Sequence, residues 1–356
     1  MKMIVRRTAL AVCTLVLALI LPTAASAVCT RFDDLPETAD CYESVMYLAE
    51  HEIAAGTGND CFSPEQLITV EQWAVMLCRA YGAETIGDSW QDVGRSSVVE
   101  AYRQGWLNET ALSAPRSPMC RSVLVESAFA AADVPVYDST LYEGGASLST
   151  ADNILRVGRE LGLCSDDADT NALVTRGDAA IILHVVLTQS FRIEEPPVPV
   201  TLVNAAGVNI NDYLLALRQV PEPVLAAFNA AGWTYRIDFD YMGGLSKKLN
   251  MSCIGATNYS QKTIYLSEAS ATLHEFGHFL DWMLGFPAEY EQLFRAEASA
   301  APLRNYAKTD SREYFADCFA YWVKYAENAN AISLLQECAP MTYRYMEDLM
   351  RIANRL

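Results

Sequence analysis

The chain has 356 residues, 51% of them apolar and 20% charged, with a formal net charge of −18. This composition is globular rather than disordered, and the length suits two domains. The negative charge argues against nucleic acid or an anionic membrane surface as a partner.

Lys2, Arg6 and Arg7 precede an apolar run from Thr8 to Leu21, and Ala25-Ser26-Ala27 follows. This is the pattern of a secretory signal peptide over residues 1–27 with a small-x-small cleavage site. The run is short for a membrane span. The mature chain is therefore expected to start at Val28, outside the membrane and with no transmembrane segment. Removing three basic residues from 26 leaves 23 against 44 acidic ones, a net charge of −21. Of ten cysteines, Cys13 leaves with the signal peptide, and the remaining nine are read first as disulfide partners with one left over.

Residues 32–82 read as helix, glycine turn, helix. Val45, Leu48 and Ala49 share one helical face. Gly56-Thr57-Gly58-Asn59-Asp60 must turn, and Thr69 is a suitable N-cap for a helix carrying Trp73, Met76 and Leu77. The unit recurs in weaker form. Trp90-Gln91-Asp92-Val93 echoes Phe32-Asp33-Asp34-Leu35, and "MCRSVLVESAF" and "VTRGDAAIILHVVL" echo "ITVEQWAVMLC". Helix starts at Thr69, Cys120 and Thr175 lie roughly 50 residues apart, which marks a three-copy array.

This half, residues 28–191, resembles S-layer homology (SLH) repeats. The family's helix-start motif is Thr-Arg-Ala-Glu. Here it reads Thr69-Val70-Glu71-Gln72, Cys120-Arg121-Ser122-Val123 and Thr175-Arg176-Gly177-Asp178. The resemblance implies an all-α module of three degenerate repeats that binds cell-wall polysaccharide, with Arg121 and Arg176 as the wall-polymer contacts. The bland alternative is a packing module whose arginines are solvated or in surface ion pairs. His184, inside "AIILHVVL", is expected to be a satisfied core residue.

Residues 192–200 contain "EEPPVPV", an extended proline-rich linker. The second domain, residues 201–356, opens with helical "NINDYLLALRQV" and "EPVLAAFNAAG". "TYRIDFDY" alternates, with Tyr235, Ile237, Phe239 and Tyr241 on one face of a strand. Gly243-Gly244 is expected to turn, "KTIYLS" to be a second strand and Ser267 to cap a helix ending near Leu284, with Gly285 as its stop.

His274 and His278 sit at i and i+4 on that helix, so both imidazoles can reach one metal ion. Glu275 lies beside them, which is the H-E-x-x-H pattern of two zinc ligands and a general base. A third ligand is needed. The candidates are Asp281, which a straight helix carries a turn too far, and Glu313 in the helical segment "SREYFADCFAYWV". Glu313 and Asp317 are again at i and i+4. One can bind zinc while the other orients a ligand histidine.

These motifs, with Tyr306 seven residues before Glu313 and Pro340-Met341-Thr342-Tyr343 near the end, resemble the anthrax-lethal-factor-like peptidase domain, most closely its small secreted Pro-Pro endopeptidases. The resemblance implies an α+β zincin-like metallopeptidase domain with a small sheet. It implies one Zn2+ per chain held by His274, His278 and Glu313, with Glu275 and Tyr306 catalytic and Asp317 behind the ligands. The substrate is expected to be an extended peptide lying along "KTIYLS". Tyr306 also has a purely structural reading, and Cys318 could pack or bridge to Cys338. The expected protein is an exported zinc endopeptidase attached to the bacterial cell wall or S-layer. The alternatives are a wall-binding protein with a vestigial peptidase domain, and a hydrolase of peptidoglycan cross-links.

Overall fold

The computed structural model describes residues 32–353. The expected signal peptide, residues 1–27, and Cys29 lie outside the described residues. The chain divides into two compact units, one up to Glu195 and one from Pro196. Among the described residues no helix is long and apolar enough to cross a membrane.

The first unit carries α1 (Tyr42–Glu50), α2 (Val70–Tyr81), α3 (Trp90–Arg103), α4 (Glu109–Ser113), α5 (Arg121–Ala131), α6 (Thr150–Glu160) and α7 (Arg176–Thr188). Val45 and Leu48 on α1 and Trp73 and Leu77 on α2 are fully buried. Thr69 starts α2 with a capping box. Its hydroxyl accepts from Gln72 N–H at 3.3 Å, and Gln72 Oε1 accepts from Thr69 N–H at 3.1 Å. Such a cap contributes about 1 kcal/mol.

The three segments before α2, α5 and α7 pair in a closed ring. Ile68 N–H donates to Val174 O, Val174 N–H to Met119 O, and Met119 N–H to Ile68 O, each at 3.0 Å. Ile68, Met119 and Val174 are at most 2% exposed. Each segment thus satisfies backbone groups that it would leave orphaned alone. The opening echo between copies does not survive in three dimensions. Phe32 is buried in a turn, whereas Trp90 begins α3 and is 51% exposed. Ser89 caps that helix by accepting from Asp92 N–H, so the second copy goes straight into a helix.

The second unit holds a four-stranded sheet of β1 (Leu202–Asn204), β2 (Thr234–Ile237), β3 (Gly255–Asn258) and β4 (Thr263–Leu266), in the order β1-β2-β4-β3. β1, β2 and β4 run parallel, and β3 is antiparallel to β4 at an edge. Its helices are α8 (Asn211–Gln219), α9 (Glu222–Ala230), α10 (Phe239–Leu249), α11 (Thr272–Met283), α12 (Ala288–Glu297), α13 (Ser311–Lys324), α14 (Ala329–Cys338) and α15 (Pro340–Ala353). α11 is the central helix. Phe276 and Phe279 pack on Phe228 of α9 at centroid distances of 4.9 and 5.1 Å. Gly277 faces α13, and a Cβ there would lie 2.6 Å from Ala316 Cα.

Three sequence expectations change here. β2 stops at Ile237, because the Asp238 side chain accepts from Tyr241 N–H at 2.9 Å and starts α10. A local cap outweighs the alternation of apolar residues, so Phe239, Tyr241 and Gly243-Gly244 are helical. "KTIYLS" forms β4, which has neighbours on both sides, so it is not an edge open to a peptide. A short 3-10 turn, Ala269–Ala271, precedes α11, and the Ser267 hydroxyl donates to Ile254 O instead of capping the helix.

Among the described residues no two cysteines are bridged. Cys318, the proposed partner of Cys338, is fully buried against Tyr290 and Tyr314, and burial pushes its thiol up to about 12. Cys78 is equally buried and donates to Ser97 O. Both act as core residues.

Candidate metal centre

His274 and His278 stand one turn apart on α11, and their Nε2 atoms are 3.1 Å apart. Glu313 comes from the first turn of α13. Asp310 caps that turn by accepting from the N–H groups of Arg312 and Glu313 at 2.9 and 3.0 Å. Glu313 Oε2 lies 3.1 Å from His274 Nε2 and 3.5 Å from His278 Nε2. This oxygen is buried and makes no hydrogen bond of proper geometry. Ligand atoms about 2.0–2.1 Å from a tetrahedral zinc stand about 3.3–3.4 Å from one another. The three donors match that spacing, so these residues fit the ion.

Hydrogen bonds behind the donors fix their orientation. His274 Nδ1 lies 2.7 Å from Asp317 Oδ1, where Nδ1–H donates, and this turns Nε2 toward Glu313 and His278. Asp317 also accepts from Arg304 Nε at 2.6 Å and Nη2 at 2.8 Å. Burial alone would push the His274 imidazole down, but the hydrogen bond to Asp317 and the neighbouring Glu313 carboxylate outweigh that and raise it to about 9. Burial would raise both carboxylates, yet the histidines hold Glu313 well below the usual range, and His274 with Arg304 holds Asp317 down. The pocket therefore favours positive charge between its donors.

Glu275 is not one of the three grouped donors and is 4% exposed. Its Oε2 accepts from the Thr257 hydroxyl at 2.7 Å. Gly255 leaves room for it, since a Cβ there would meet Glu275 Oε1 at 2.5 Å. The Tyr306 ring centroid is 6.5 Å from that of His274. Burial and the Glu313 carboxylate push its phenol up to about 12, so it remains a donor at neutral pH. These groups and β3 line one open cleft of about 910 Å³.

Residues 238–349 match the family described as "Anthrax toxin lethal factor, N- and C-terminal domain". Residues 31–72 match the S-layer homology domain. Both resemblances read from the sequence are thus found again, the second over the first copy. Among solved structures, the chain is similar to the Pro-Pro endopeptidase PPEP-2 from Paenibacillus alvei. The identity is 19% over 42% of this chain and 96% of that one, with a TM-score of 0.34. No curated protein matches.

In the lethal-factor-like domain, His274, His278, Glu313, Glu275, Tyr306 and Asp317 all line the cleft. Asp281 is outside the donor group; it is 3% exposed, and burial pushes its carboxyl up to about 6. Sequence reasoning missed Arg304, Thr257 and Gly255, which touch functional side chains from 13 to 20 positions away and carry no spacing signal. In the SLH-like unit, Arg121 pairs with Asp178 at 3.5 Å. Arg176 is only 5% exposed and donates to Phe62 O at 3.0 Å and Ala55 O at 3.1 Å. It is neither a solvated arginine nor a surface ion pair. His184 has Nδ1 3.0 Å from Ser44 Oγ.

Proposed function

We propose that this chain is an exported zinc endopeptidase, held at the cell surface by its SLH-like repeats, that cuts extended segments of extracellular proteins. Lethal-factor-like domains are zinc-dependent metallopeptidases, and the SLH match suggests surface attachment. The single observation that carries the proposal is the convergence of three donors at tetrahedral-edge spacing, beside a separately held buried carboxylate. In this reading residues 28–191 are the wall module, 192–200 the linker and 201–356 the peptidase.

His274, His278 and Glu313 would hold one zinc ion. When bound, zinc supplies Lewis acidity, making water easier to deprotonate and a carbonyl easier to attack. Glu275 takes a proton from the attacking water and returns it to the leaving amine. Tyr306 donates a hydrogen bond to the oxygen of the tetrahedral adduct. Asp317 keeps the His274 tautomer in which Nε2 is free to ligate. An extended peptide would add to the exposed edge of β3, whose residues line the cleft, rather than to β4. A cut between prolines is the specificity that the likeness to Pro-Pro endopeptidases suggests.

The test is mass spectrometry of an extended-peptide library and of purified peptidoglycan after incubation with the full chain. Peptides should be cut, the activity lost to a chelator and restored by zinc. An intact protein that takes up no zinc on dialysis sinks the proposal. Cleaved cross-links beside intact peptides would favour the wall-hydrolase alternative.

A further inference from the structure

Arg304 belongs to no motif, yet its guanidinium touches three parts of the site: Asp317, the Tyr306 ring and His274, whose Nδ1 lies 3.1 Å from Arg304 Nη2 and has its hydrogen directed at Asp317. Its Nε and Nη2 form a fork on both oxygens of Asp317, at 2.6 and 2.8 Å. Its Cζ lies 5.3 Å from the centroid of the Tyr306 ring. Asp317 is 7% exposed, and its Oδ1 also accepts from His274 Nδ1. Without the fork, Oδ2 would lose its donor and the carboxylate could rotate away from the imidazole. Arg304 and Tyr306 lie two residues apart in the segment that leads through the 3-10 turn Asn305–Lys308 into α13.

Resting on the zinc-peptidase reading, we infer that Arg304 is a positioning residue, holding Asp317 against His274 and the Tyr306 ring beside the cleft with one guanidinium. A planar guanidinium can grip a carboxylate with two parallel bonds and lie against an aromatic ring, whereas a lysine ammonium is a point charge that cannot do both. A surface ion pair would be the bland account. It does not explain why the acceptor is buried and already bonded to a candidate ligand. Arg304 thereby couples two tasks: ion retention through Asp317 and His274, and oxyanion donation through Tyr306.

The experiment uses the full chain as wild type, R304M, R304K, D317N and R304M/D317N, with folding checked by circular dichroism. Zinc affinity is measured by competition with a chromophoric chelator. Loss of a partner behind a metal ligand typically weakens the site about 10–100-fold, and R304M and D317N should each do so. The double variant should bind no more weakly than D317N alone, because Arg304 acts through Asp317. R304K keeps the charge but not the fork, and should stay at least about fivefold weaker than wild type. With saturating zinc, R304M should lower kcat on a peptide that wild type cuts, with KM little changed, and should add nothing in a Y306F background. R304M and R304K that match wild type in zinc affinity and kcat overturn the inference alone. Additive zinc losses in the double variant also overturn it. A wild-type chain that takes up no zinc overturns the peptidase reading and this inference together. If R304M does not fold, R304K decides.

Discussion

Two carboxylates in the cleft differ in what surrounds them. Glu313 faces two imidazole nitrogens, whereas Glu275 faces a hydroxyl and a glycine. The first environment suits a ligand and the second a base. Glu275→Ala should therefore keep one zinc per chain by metal analysis while turnover falls by roughly 10²–10⁴. Loss of the metal in that variant would make Glu275 a ligand. Tyr306→Phe removes a donor whose phenol is raised to about 12 and so remains protonated at neutral pH. Zinc affinity should hold while turnover drops about 10²–10³; an unchanged rate would return Tyr306 to a structural role. At this scale i,i+4 spacing displayed the two histidines and the pair of Glu313 and Asp317, and the choice of Glu313 as third donor came from the family resemblance. The sequence could not display Thr257 or Gly255, because a contact between a strand and a helix has no period.

At the scale of elements, the site depends on how α11 meets α13. A glycine inside a helix costs roughly 1 kcal/mol relative to alanine. Gly277 is nonetheless needed, because the Ala316 backbone occupies the place of its Cβ. Gly277→Ala should push the helices apart, cost about 1–3 kcal/mol measured by denaturant unfolding, and weaken zinc binding by displacing Glu313. Gly255→Ala acts on a different element. Its methyl group would collide with Glu275 Oε1 and Ala271 Cβ, so turnover should fall while zinc content stays at one per chain. If both variants lost zinc equally, the division of labour between β3 and α13 would be wrong. Most helices were legible from apolar spacing and caps, as α2 shows. The extent of β2 was not, because Asp238 satisfies a backbone donor of α10 that alternation ignores. Nor could strand order be read, since both β3 and β4 are short and adjacent in sequence.

At the scale of the whole molecule, wall attachment and chemistry are assigned to different units. The full chain should be retained by walls that keep their secondary polysaccharide, and chelation should leave retention unchanged. Equal retention by stripped walls would remove the proposed ligand. The two repeat arginines should behave differently. Arg121 is in a partly exposed pair, so Arg121→Ala should cost less than about 1 kcal/mol and report on binding. Arg176→Ala leaves two carbonyls without their donor and should cost on the order of 2 kcal/mol, lowering the unfolding midpoint. Lost retention in that variant would accompany lost stability.

The sequence by itself determined the chemistry available: two histidines and two acids at helical spacing, a strongly acidic chain, and two recognisable segments, found again as matches over residues 31–72 and 238–349. These are local properties, set by residue type and by separations of three to seven positions. Only the tertiary structure decided which acid faces the imidazoles, which strand edge lies open, and that Arg176 is buried while Arg304 reaches the site. Each of these depends on contacts between residues distant in the chain. Such contacts are fixed by packing one element against another, and no periodicity in the sequence encodes them.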